Sequence, residues 1–292
     1  MLLTKPNTLA KKLLLSLSSL AILYGATIIW TSVLEHKYIY QAEKLSYEEY
    51  RAFYSEISAD SKAGKLTLIS LELRDGSIIE GFYMDKGDEM VDLFLHGNAG
   101  NIETNRINID YLLKANLSFL IIDYPGYGAS SGSPTEANLY EAARTSYDYL
   151  ISHFGWRADQ IIINGQSLGG AVAIDLASKV PCRSLIVESS FTSTHDMGNI
   201  ITPWLPLRLL SSNKYNSIEK IDQVKCPVLI LHGDQDTMVP LTMAKALFYR
   251  AREPKYFVLL SGLGHNDKAP SGDEAYNRKI EEFIRTNQIT SP

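Results

Sequence analysis

From about residue 65 onward, short apolar runs alternate with stretches of helical period. This rhythm restricts the chain more than any other feature. MVDLFLHG (90–97) is apolar and stops at Gly97, and a helical stretch follows over about Ile102 to Ala115. LSFLIIDYPGYG, QIIINGQS, SLIVESS, CPVLILHGD and YFVLLSG repeat the pattern, each followed by helical or loop sequence. Strand alternating with helix over this length predicts an α/β fold, with a mostly parallel central sheet and helices on both faces. Before it, KLTLISLEL and SIIEGFYM alternate with period two across Asp75-Gly76, which predicts an antiparallel hairpin. In parallel sheets of this kind, sites collect at the carboxyl ends of the strands.

INGQSLGGAVAID (163–175) sets Ser167 between Gly165 and Gly169, directly after a strand and before a helix. A G-x-S-x-G pentad is only a hypothesis until its context agrees, and a strand-to-helix turn is that context. Serine alone is a poor nucleophile, so it needs a base and the base needs an orienting acid. In this kind of sheet the chain order is serine, acid, histidine. Of the six histidines only His265 follows Asp236, and both lie just past strands. His265 is therefore the expected base and Asp236 its partner. Asp234 and Glu188 are the rival acids, Asp234 fitting better as a loop cap. The expected oxyanion donors are the backbone N–H groups of Leu168 and of Asn98 in HGNAGN (96–101), where Gly97 allows close backbone approach. His96 and Asn101 read as braces of that loop. DYPGYGASSGSPTE (123–136) lacks the phosphate-loop pattern and reads as a wall of the site.

Leu13 to Leu34 carries no charge over 22 residues. At 1.5 Å per residue such a helix is about 33 Å long, enough for a hydrocarbon core of about 30 Å. Lys5, Lys11 and Lys12 precede it, and Trp30, Tyr38 and Tyr40 lie near its far end. A cleaved signal peptide is the alternative, but its apolar region is normally shorter and ends at a small-x-small site. The expected layout is a short cytoplasmic tail (1–12), a transmembrane signal-anchor (13–34), a juxtamembrane linker or helix (35–64) and the α/β domain (65–292). The lysines put the N-terminus in the cytoplasm and the domain across a single-pass membrane span. In the juxtamembrane stretch Ser46 and Glu49 fit a capping box, with Tyr47, Tyr50 and Tyr54 on one helical face. A solvated linker is the competing description.

The net charge of −5 argues against nucleic acid, since phosphate binding needs a basic surface. The two cysteines, Cys182 and Cys226, form no metal-binding pattern. Each sits just before a strand, so parallel pairing would start them level, and an oxidising compartment would then permit a disulfide. Between SLIVESS and CPVLILHG an insertion at about 191–221 is apolar around Pro203, Trp204, Leu205, Pro206, Leu207, Leu209 and Leu210. It reads either as a lid lining an acyl pocket or as ordinary helix packing.

HGNAGN, DYxGYGxSxGxPxE, GxSLGG, HGxxDxxVP and GHND occur in order from about residue 65 to the end. With them the chain resembles the α/β-hydrolase superfamily, in its membrane-anchored branch. Pro125 stands where that pattern commonly has arginine. The resemblance implies the α/β-hydrolase fold with a short lid, and a serine hydrolase acting on a lipid-like or acylated substrate. The expectation is a membrane-tethered enzyme that cleaves an acyl ester or thioester through Ser167, His265 and Asp236, without cofactor or metal. Two rivals stand beside it: a serine peptidase of the same fold, and a non-catalytic binding module. A binding module has no reason to keep serine, acid, histidine and oxyanion glycine together.

Overall fold

In the computed structural model, residues 8–60, 64–114, 117–203, 211–267 and 274–289 are described. The N-terminal helix α1 (Thr8–Ile39) contains the uncharged run and extends past it through Glu35, His36 and Lys37. None of its most apolar stretch is buried, and Leu13, Leu20, Ile22 and Trp30 stand exposed. A two-residue strand, β1 (Gln41–Ala42), and helix α2 (Tyr47–Asp60) follow.

The α2 helix begins with the capping box expected of it. Ser46 N–H donates to Glu49 Oε2 at 2.8 Å, and Glu49 N–H returns a bond to Ser46 Oγ at 3.2 Å. Its inward face is apolar. Tyr50, Phe53 and Ile57 are buried, and the Tyr50 ring stacks on Phe82 at 5.1 Å. Tyr54 is partly buried and donates to Leu66 O at 3.0 Å, whereas Tyr47 is exposed. The helix lies against the domain.

The hairpin forms β2 (Lys65–Glu72) and β3 (Ile78–Asp85), in register from Lys65 opposite Asp85 to Glu72 opposite Ile78. Then come β4 (Val91–Leu95), β5 (Ala99–Gly100), α3 (Arg106–Lys114), β6 (Ser118–Ile122) and α4 (Glu136–Ser152). Further along come β7 (Ile161–Gln166), α5 (Leu168–Lys179), β8 (Ser184–Glu188), α6 (Thr194–Ile201), β9 (Val228–Gly233), α7 (Leu241–Arg250), β10 (Lys255–Leu260) and α8 (Glu274–Thr286), with a single helical turn at Ser217–Lys220 before β9. The α3 helix starts at Arg106 rather than Ile102. The Asn101 side chain accepts Thr104 N–H at 3.1 Å and closes a turn there, which delays the helix.

Eight strands form one sheet in the order β10-β9-β8-β7-β4-β6-β3-β2. Pairs from β10 to β6 are parallel, and β3 and β2 are antiparallel. The central strands β4, β6, β7 and β8 are buried on both faces, which explains their unbroken apolar runs. On one face Leu139 of α4, Val172 of α5 and Leu247 of α7 join the core with Leu93, Ile163 and Ile230. On the other, α2 and α3 pack over Phe82, Phe94 and Phe119, and α8 sets Ile280 and Phe283 against Ile162 and Leu229.

Of the apolar insertion, Trp204, Leu205, Pro206, Leu207, Leu209 and Leu210 lie outside the described residues, as does Lys5. Cys182 and Cys226 precede the parallel neighbours β8 and β9, but they do not start level: Leu185 lies opposite Val228, which offsets the two cysteines by one residue, and they are free thiols 3.1 Å apart.

One buried group makes stability depend on pH. Asp92 on β4 is buried and accepts Asn164 Nδ2 at 2.9 Å, while its Oδ1 has no partner among the described residues. Burial pushes its carboxyl up to about 7, against a smaller downward pull from Asn164. Below the ordinary Asp range both folded and unfolded chains hold this proton. Between about pH 4 and 7 only the folded chain keeps it, so stability falls as pH rises and then levels off. The full difference is roughly 4 kcal/mol at about 1.4 kcal/mol per pH unit. Asp92→Asn should leave the melting temperature unchanged at pH 4 and raise it by about 5–10 °C at pH 8. Thermal unfolding at the two pH values checks this, and an equal shift at both would contradict it.

Candidate active site

Ser167 sits in the sharp turn between β7 and α5 with φ 53° and ψ −117°, a left-handed conformation that side chains rarely adopt. The flanking glycines make the turn sterically feasible. A Cβ on Gly165 would overlap the Gly169 carbonyl, and one on Gly169 would overlap the carbonyls of Leu95 and His96 on the adjoining strand end. Bonds on both sides pin the serine backbone. Its N–H donates to Glu188 O at 2.8 Å, and its carbonyl accepts Ser190 Oγ at 2.8 Å.

The ends of β9 and β10 bring the other two groups to this serine. His265 Nε2 lies 3.0 Å from Ser167 Oγ, and His265 Nδ1 lies 2.8 Å from Asp236 Oδ2. All three side chains are largely withdrawn from solvent. Asp236 Oδ1 accepts the backbone N–H groups of Val239 at 2.8 Å and Met238 at 2.9 Å. Burial alone would raise the Asp236 carboxyl. The bonds from His265, Val239 and Met238 outweigh it and hold the group below its ordinary value, so it is an anion at neutral pH. A carboxylate accepting at Nδ1 selects the tautomer whose Nε2 is free to take a proton from the serine.

The rival acid Asp234 is engaged elsewhere. Asp234 accepts Gly262 N–H at 2.7 Å and Ser261 Oγ at 3.3 Å, capping the turn after β10. Glu188 meets the serine through its backbone carbonyl.

His232, which the sequence did not single out, lies 3.5 Å from Asp236 Oδ2 and donates its Nε2 proton to Val239 O at 2.9 Å. Burial lowers its basicity, so it is a neutral brace behind the acid. Its place was readable in HGDQD, where a strand-end histidine precedes Asp236 by four residues.

The 96–101 loop runs beside the serine; a Cβ on Gly97 would lie 3.6 Å from Ser167 Cβ. His96 Nδ1 holds the Gly97 carbonyl at 2.8 Å, and a trans peptide then turns the Asn98 N–H to the opposite side. The Asn98 carbonyl accepts Tyr127 Oη at 2.9 Å and Gln41 N–H at 2.9 Å. The second of these comes from β1, which pairs with β5 inside the loop. Asn101 ties the loop further by donating Nδ2 to Glu43 O at 3.3 Å. His96 and Asn101 are therefore braces, as their positions suggested. The tyrosines of DYPGYG belong with them, since Tyr124 Oη donates to His96 O at 3.0 Å. The Asn98 and Leu168 N–H groups have no partner among the described residues, and Leu168 opens α5 where a helix leaves donors free.

A paired serine and imidazole, an anionic partner and two unused backbone donors form a chemistry of nucleophilic attack on a carbonyl. Among the described residues no cluster of His, Cys, Asp or Glu could hold a metal ion.

A family model described as "alpha/beta hydrolase fold" matches residues 93–211. An uncharacterized protein of Mycobacterium tuberculosis is 38% identical over 202 residues, spanning 68% of this chain and 72% of that one. Protein bem46 of Schizosaccharomyces pombe is 34% identical over 236 residues, 77% of this chain and 78% of its own. Human alpha/beta hydrolase domain-containing protein 17B is 33% identical over 193 residues, 66% of this chain and 65% of its own. Among solved structures, the Pyrococcus furiosus esterase Pf2001 superposes with a TM-score of 0.65 at 19% identity, covering 78% of this chain and 92% of that one. At that identity the likeness is one of fold.

Proposed function

Because the chain belongs to the α/β-hydrolase family, we propose that it is a membrane-tethered serine hydrolase that cleaves an acyl ester or thioester. The observation that carries this is the unbroken relay from Ser167 Oγ through His265 to Asp236, at 3.0 and 2.8 Å. Ser167 Oγ attacks the acyl carbonyl carbon while its proton passes to His265 Nε2. Asp236 stabilises the imidazolium. The developing oxyanion takes the N–H groups of Asn98 and Leu168. The tetrahedral adduct collapses, the bond to the leaving alcohol or thiol breaks, and His265 returns the proton to that leaving atom. Water, deprotonated by the same imidazole, then releases the acid from Ser167.

In this proposal α1 is an uncleaved anchor, with residues 13–34 in the bilayer, the 1–12 tail in the cytoplasm and the 65–292 domain on the opposite side. Lys11 and Lys12 at its start support that orientation. The last turn of α1 and the residue after it support retention of the anchor, because they are fastened to the domain. His36 Nε2 lies 3.1 Å from Pro134 O, and Tyr40 Oη donates to Asn213 Oδ1 at 2.7 Å.

The bonds on the Asn98 carbonyl make one consequence measurable. Tyr127→Phe removes one of two tethers and should lower kcat about tenfold through a looser oxyanion donor, with KM and thermal stability little changed. Steady-state kinetics checks it; a rise in KM at constant kcat would show that the tyrosine serves binding instead. The proposal itself is tested with full-length protein in detergent, offered acyl p-nitrophenyl esters, acyl thioesters and aminoacyl anilides. Turnover of esters or thioesters is expected. Turnover confined to the anilides would replace this assignment with a peptidase.

A further inference from the structure

A cavity of about 260 Å³ opens between the 96–101 loop, α3 and the His265 loop, lined in part by Glu43, Thr104, Asn105, Asn108, Gln166 and Asn266. Two of these residues immediately neighbour the reacting groups in the chain: Gln166 precedes Ser167, and Asn266 follows His265. Gln166 is 7% exposed and Asn108 4%. Asn108 Nδ2 donates to Gln166 Oε1 at 3.1 Å and to Asn105 Oδ1 at 3.1 Å. That arrangement leaves Gln166 Nε2 as a donor and Asn108 Oδ1 as an acceptor, neither with a partner among the described residues. Neither atom is sealed from solvent, so both are open to a ligand that enters the cavity. A hydroxyl is donor and acceptor at once, so it answers both. Glu43 is among the lining residues, and a negative charge this near disfavours an anionic occupant.

The direction of the chemistry says which part of a substrate belongs here. When the adduct collapses, the acyl C–O bond breaks, its electron pair stays on the departing oxygen, and the proton on His265 Nε2 moves to that oxygen. The leaving alcohol therefore lies on the His265 side, where Asn266 borders the cavity. We propose that this cavity is the alcohol subsite, and that the alcohol it takes is an uncharged, hydroxyl-rich group of the glyceryl type. The inference rests on the acyl-hydrolase proposal above and narrows it to esters with a polyol head.

The test compares kcat/KM of the full-length protein in detergent micelles for 1-decanoylglycerol and propyl decanoate, which share the acyl chain and differ in two hydroxyls. The wild type should favour the glyceryl ester about tenfold, the worth of one or two such hydrogen bonds. Gln166→Met and Asn108→Leu should each bring the ratio close to one. A wild-type ratio at or below one overturns the subsite whether or not the variants fold, and so does a ratio that both variants preserve. Faster cleavage of 1-decanoylglycerol 3-phosphate than of 1-decanoylglycerol overturns the uncharged head. Equal turnover of the two esters by protein whose Ser167 reacts with a fluorophosphonate removes the subsite alone. No turnover of either ester, with Ser167 unreactive, removes the hydrolase proposal as well.

Discussion

Ser167→Ala should reduce hydrolysis of an activated acyl ester by about 10⁶-fold while leaving the melting temperature within a few degrees of wild type. The size follows from the geometry. The Ser167 hydroxyl is the group within proton-transfer distance of His265 Nε2, at 3.0 Å, and alanine leaves that imidazole with nothing to activate but water. What remains is the residual acceleration from the oxyanion donors and substrate binding. The turn itself should survive, because alanine keeps the Cβ and the backbone bonds to Glu188 and Ser190 need no hydroxyl at 167. Steady-state assays beside a thermal melt check both halves. Ester hydrolysis undiminished in the variant would remove Ser167 from the chemistry.

The second large effect separates two aspartates that are two residues apart. Asp236→Asn should lower kcat by about 10⁴-fold, because an amide partner at Nδ1 stabilises the wrong imidazole tautomer and no longer supports the imidazolium. Asp234→Asn should cost less than tenfold, since Asp234 binds Gly262 N–H and Ser261 Oγ rather than the imidazole. The difference lies in the loop after β9. The backbone N–H groups of Met238 and Val239 hold Asp236 in place, and against the upward push of burial the bond from His265, with theirs, keeps it ionised, so its stabilising effect is present at neutral pH and fades as acid protonates it. Matched kinetics on the two variants decides the matter; the opposite ranking would make Asp234 the acid.

The sheet, the hairpin and the approach of serine to histidine were legible in the sequence because each obeys a local rule. Apolar runs ending at glycine mark buried parallel strands, Asp75-Gly76 marks a turn, and chain order selects His265 and Asp236 from many candidates. What stayed illegible depends on contacts between distant segments. Nothing in QAEKLS announces that Gln41 and Ala42 pair with Ala99 and Gly100, because a two-residue strand has no period to read. The hydroxyl of Tyr127 on the Asn98 carbonyl was hidden for a related reason, since a tyrosine in a Gly/Pro loop looks like wall material until its partner is known. The start of α3 moved from Ile102 to Arg106 because a side-chain bond from Asn101 outcompeted the helix, and a periodicity does not register that competition. Gln166 and Asn108 went unnoticed because their pairing joins a strand end to a helix 58 residues earlier.

The central claim is that Ser167 is made nucleophilic by His265. Its most direct measurement is mass-spectrometric mapping of a fluorophosphonate adduct on full-length wild-type protein and on His265→Ala, with the labelling rate followed over time. A single adduct on the peptide carrying Ser167 is expected, formed in the wild type at least 10³-fold faster than in the variant. An adduct on another residue, or equal labelling rates in the two proteins, would contradict it.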